Sequence, residues 1–156
     1  ILRYIQKLGV KEIFTLGGFS VGELVGKPKV LGVVNDLSLI ERYKDCGIDF
    51  KSGDRIGTIV GATGLLVGLA GYYGMKAVCL LGETAGYPII PDPKSAEAVL
   101  DALSKALKIK IDTSRLEKRI KEMENFIKRV QEVQRKAIEG LMKPPKPKKE
   151  ELTYIG

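Results

Sequence analysis

The sequence predicts an α/β domain followed by a long helix and an extended tail, on the strength of three observations. A glycine-laced, uncharged block from Ile56 to Met75 runs directly into a short apolar segment, Ala77 to Leu81. The block has the period of a helix, and the segment has the length and composition of a strand buried on both faces of a parallel sheet. Upstream, helix, strand, loop and strand follow one another in α/β order. Downstream, Arg115 to Gly140 is charged, periodic and free of proline, which marks a long helix. With 44% hydrophobic and 29% charged residues in 156, the chain has the content of one folded core and not of a disordered segment.

Ile1 to Gly9 reads as the last turns of an amphipathic helix closed by a glycine cap. It lacks an initiator Met and any leader-like pattern, so a natural N-terminal part is expected to precede it. Val10 to Leu16 reads as a strand, Gly17-Gly18 as the turn out of it, and Lys29 to Val34 as a second strand. Leu37 to Cys46 alternates apolar and charged residues at helical spacing and stops at Gly47; Gly53-Asp54-Arg55 marks the turn into the central block.

Within that block Gly61, Gly64, Gly68 and Gly71 line one face of a helix. Each interior glycine costs a helix about 1 kcal/mol against alanine. Such a stripe makes sense where a sheet, a neighbouring helix or a ligand comes close. A membrane span has the right length and no charge, but a buried strand directly after it leaves no sensible topology. Nucleotide binding by the glycines fails on spacing, which matches neither G-x-G-x-x-G nor G-x-x-x-x-G-K-[ST]. The preferred reading is a helix inside the domain, pressed through its glycine face on the sheet or on a partner subunit, with Gly64 and Gly68 as contact positions.

Gly82-Glu83-Thr84 reads as the loop after the apolar strand. Asp92 is placed to cap a helix with Pro93 at its first position, and Ala96, Val99, Leu100, Leu103 and Leu107 form the expected apolar face. Asp112-Thr113-Ser114 starts the last helix. Along it Leu116, Ile120, Met123, Ile127, Val130, Ala137 and Leu141 keep the alternating four-and-three spacing of a coiled-coil seam, interrupted by Gln134. Such a stripe lies on its own domain or pairs between subunits; the second alternative makes Leu116, Ile120, Met123, Ile127 and Val130 oligomer contacts. Lys143 to Glu151, rich in proline and lysine, reads as an extended tether, and beyond it the chain ends Leu152-Thr153-Tyr154-Ile155-Gly156.

Catalytic motifs fail on inspection. Gly18-Phe19-Ser20-Val21-Gly22 matches the G-x-S-x-G elbow of serine hydrolases. That chemistry needs a histidine base, and the chain has none. A Ser–Lys pair with Lys27 is the remaining option, against a plain turn serine. Asp36, Asp49, Asp54, Glu83 and Asp92 read as scattered turn residues without a partner at catalytic or metal-binding spacing. Cys46 and Cys79 form no metal or redox pair and read as free thiols of a reducing cytosol, which places the protein in the cytoplasm. The net charge of +7 favours anionic partners or acidic protein surfaces. The lysine-rich tail lacks the interleaved aromatics of a nucleic-acid binder, and Glu150 and Glu151 oppose its charge. The expectation is a non-enzymatic chain with no cofactor, no metal, and neither nucleic acid nor membrane as partner.

The segments TLGGF, GLLVGLAGYYGMKAVC and CLLGETAGYPIIPDPKSAEAVLDAL together resemble the proteasome assembly chaperone family, that of the second assembly chaperone and its archaeal homologues. The resemblance covers Ile1 to Asp112. It implies an α/β domain with a mainly parallel sheet flanked by helices, acting by protein binding. It also implies that several strands of the family domain precede Ile1. The divisions expected are 1–111 for that domain, 112–141 for the long helix and 142–156 for the tether. The implied function is docking on the proteasome core particle, as assembly chaperone or activator, by a homo-oligomer. The ending Tyr154-Ile155-Gly156 resembles the hydrophobic-tyrosine-any-residue ending of proteasome activators, with the tyrosine third from the end here and second in that pattern. The alternative is a nucleotide-dependent enzyme of ATP-grasp-like type, which some members are described as resembling.

Overall fold

The computed structural model describes residues 1–23, 25–51, 56–86 and 91–142, and for 130, 131, 134 and 136–142 the backbone alone. The turn expected at Gly53-Asp54-Arg55 and the tether from Lys143 onward lie outside the described residues. The elements are α1 (Leu2–Lys7), β1 (Glu12–Ser20), β2 (Val30–Val34), α2 (Ser38–Tyr43), β3 (Ile48–Asp49), α3 (Ala62–Ala70), β4 (Lys76–Thr84), α4 (Pro93–Leu107) and α5 (Ser114–Met142). Single 3-10 turns at Lys44–Cys46 and Gly71–Tyr73 continue α2 and α3. The chain divides into two compact units, Ile1–Lys118 and Arg119–Gly156.

The first unit is built on a four-stranded sheet in the order β1-β4-β2-β3. β1 runs parallel to β4 and β2 parallel to β3, while β2 is antiparallel to β4. The sheet is therefore mainly parallel, as expected, with one antiparallel seam. β4 sits at its centre, and Ala77, Val78, Cys79 and Leu80 are sealed from water. That burial accounts for the unbroken apolar run in the sequence, since a strand covered on both faces has no polar alternation. On one face Leu2, Val67, Ala70, Met75, Ala77 and Cys79 join in one cluster under α1 and α3. On the other, Leu39, Tyr43, Val78, Leu80, Val99 and Ala102 join under α2 and α4. Each fully buried Leu or Val contributes about 1.5–3 kcal/mol.

Side chains extend the antiparallel seam at both ends. Asn35, just past β2, accepts from Ala77 N at 2.8 Å through Oδ1 and donates through Nδ2 to Met75 O at 3.1 Å. At the other end the Glu83 carboxylate, only 6% exposed, accepts from Lys29 N at 3.1 Å, while Glu83 N donates to Lys29 O at 2.9 Å. Both side chains take over the role of the next rung, so the ladder does not fray where the two strands part.

Four expectations are corrected. Gly17-Gly18 is not a turn but lies inside β1. A side chain at Gly17 would meet Leu81 Cδ2 at 3.0 Å, so the strand continues there with a residue small enough to stay under its neighbour. Gly82-Glu83-Thr84 is likewise strand and not loop. The inner face of α4 is Ser95, Val99 and Ala102, flanked by Ala98, Leu103 and Ala106; Ala96 and Leu107 point to water. The reason is Gly82: a Cβ there would stand 2.3 Å from Ser95 Oγ and 2.9 Å from Val99 Cγ2, so α4 seats over the bare strand position with those residues down. The glycine-rich block, finally, is not one continuous helix: Gly57 to Val60 lie outside any helix, Ala62 to Ala70 form one, and the chain then turns through Gly71–Tyr73 to Gly74 at φ +68°. Among the described residues no helix is long and apolar enough to cross a membrane.

Candidate functional site

The glycine stripe of α3 faces away from the sheet. Val67 and Ala70 carry the helix onto β4, and a Cβ built on Gly17 of β1 would lie 3.6 Å from Thr63 Cγ2. Gly61, at φ +91°, starts the helix, and Gly64 is covered by the preceding loop, where a Cβ would fall 2.5 Å from Ile59 O. At Gly68 nothing lies within 4 Å. The two predicted contact positions thus differ in kind, since Gly64 serves its own chain and Gly68 faces open space. Around Gly68, Leu65, Leu69, Ile59 and Gly61 line a shallow apolar depression of about 460 Å³, and Tyr72 beside it is 95% exposed. Tyr4 on α1 and Leu8 just past its end, four residues apart, are also exposed. The repeat of large apolar residues one turn apart could have flagged them in the sequence.

In α5, Leu116, Ile120, Met123 and Ile127 are half-buried and fall on one stripe. Phe126 and Val133, seven residues apart, are exposed beside it. Ser114 N donates to Asp112 Oδ1 at 2.9 Å, which starts the helix where the sequence placed its cap and holds the Asp112 carboxyl below its ordinary pKa. The side chain of Val130 and the whole of Tyr154, Ile155 and Gly156 lie outside the described residues.

The serine of the hydrolase-like motif ends β1 beside Gly86, where a Cβ would stand 2.0 Å from Ser20 Oγ. Gly86 adopts φ +77° and leaves the hydroxyl its space, a packing role that needs no base. Cys79 is buried in the core, and that burial pushes its thiol pKa up and away from reactivity. Glu83, read as a turn residue, is the buried ladder cap described above. Among the described residues no cluster of three or more His, Cys, Asp or Glu side chains could hold a metal ion. Asp36 pairs with Lys76 at 2.9 Å, and hydrogen bonds from Ser38 and Lys76 hold its carboxyl down at about 2.

Residues 1–131 match the PAC2 family. The uncharacterized protein MJ1210 of Methanocaldococcus jannaschii is 39% identical over 156 residues, covering 97% of this chain and 58% of that protein. PbaB of Pyrococcus furiosus, described as an archaeal proteasome activator, superposes with a TM-score of 0.75 at 41% identity, over 83% of this chain and 55% of its own. PbaA of the same organism, described as an archaeal homolog of proteasome-assembly chaperone, gives 0.71 at 26% identity, over 90% and 57%. The chain thus spans somewhat over half the length of these relatives. The resemblance to assembly chaperones read from the residues is borne out in the likeness to PbaA and PbaB, and the α/β domain with its long C-terminal helix agrees with them in fold. The match over residues 1–131 places the chain in the PAC2 family.

Proposed function

We propose that this chain is a protein-binding factor that docks on the proteasome core particle as assembly chaperone or activator. The observation that carries the reading is the 41% identity and shared fold with PbaB, a proteasome activator. The physical character of the chain supports it. The chain lacks the histidine that a serine hydrolase of its motif would use. Apolar side chains on α1, α3 and α5 face outward, where a protein partner gains by covering them.

The docking tip of this reading is Tyr154-Ile155-Gly156 at the end of the proline–lysine tether. The tyrosine ring adds buried area at low entropic cost when it enters a pocket between core subunits. Several tails on one oligomer raise one another's effective concentration, so that each can be weak. The oligomer is held by the α5 seam of Leu116, Ile120, Met123, Ile127 and Val130, with Gly68 on α3 as the second contact. The experiment is peptidase stimulation of core particles by the intact chain, by Tyr154→Ala and by a chain lacking Tyr154 to Gly156. Stimulation and binding fall at least tenfold in both variants. Equal binding by all three removes the tail from the mechanism.

A further inference from the structure

We draw no further inference here: the strongest candidate, the cavity of about 480 Å³ between α4 and the segments leading into β2 and β3, offers only the exposed lysines Lys27, Lys29 and Lys105 around the single half-buried Cys46, and nothing in the structure shows what covers it.

Discussion

Asp36 shows how much of this fold's polar wiring rests on single residues at strand ends. Its carboxylate receives Ser38 N at 2.9 Å and pairs with Lys76, and so ties the start of α2 to the first residue of β4. A carboxyl whose folded pKa lies at about 2, below the ordinary value of 3.8, stabilises the fold fully above the ordinary value and loses that contribution as pH falls through its folded value. Unfolding midpoints recorded between pH 7 and pH 2 are therefore expected to hold to about pH 4 and to decline below it. Asp36→Asn removes part of that decline. A decline of identical shape in the variant would show that other carboxylates set the acid limit. Glu83 and Asn35 belong to the same scale, since each replaces one rung of the β2–β4 ladder with its side chain.

At the scale of the element, α3 separates two uses of glycine that look alike in sequence. Gly64→Ala drives a Cβ into Ile59 O at 2.5 Å, a backbone atom that cannot swing away, and is expected to cost about 1–3 kcal/mol. Gly68→Ala meets nothing and gains the helix propensity of alanine, about 0.5–1 kcal/mol. Denaturant midpoints of the two variants should move in opposite directions. Destabilisation of the isolated chain by both would mean that Gly68 is covered. α4 carries a similar lesson, for its Asp92 cap, with Ser95 N donating at 3.0 Å, follows the local rule while its rotation about its own axis follows Gly82.

At the scale of the whole molecule, one long amphipathic helix follows an α/β domain. Ile127 is half-buried in the single chain, so a charge there costs the monomer little beyond helix packing. Where the seam pairs between subunits the position becomes fully buried, and Ile127→Glu then costs several kcal/mol by the penalty on an unpaired buried charge. Light scattering across a hundredfold concentration range reads this directly. Loss of mass in Ile127→Glu assigns self-association to α5. A concentration-independent monomer for the unmodified chain would end the proposal of self-association.

What could be read from the residues alone is whatever depends on neighbours along the chain. The cap at Asp92, the start of α5 at Asp112-Thr113-Ser114, the end of α1 at Gly9 and the buried character of β4 each follow from a few adjacent residues. The family likeness was legible in the same way, as consecutive motifs. The strand through Gly17-Gly18 was not, because a glycine pair signals a turn until Leu81 and Thr63 lie over it. Nor was β3, whose two residues make no periodic pattern and pair only because β2 lies alongside. The role of Asn35 depends on Ala77, 42 positions away. Which glycine is covered and which face of α4 turns inward are likewise contacts between segments distant in the chain. They are decided when the layers pack, because packing fills space that local propensity does not describe.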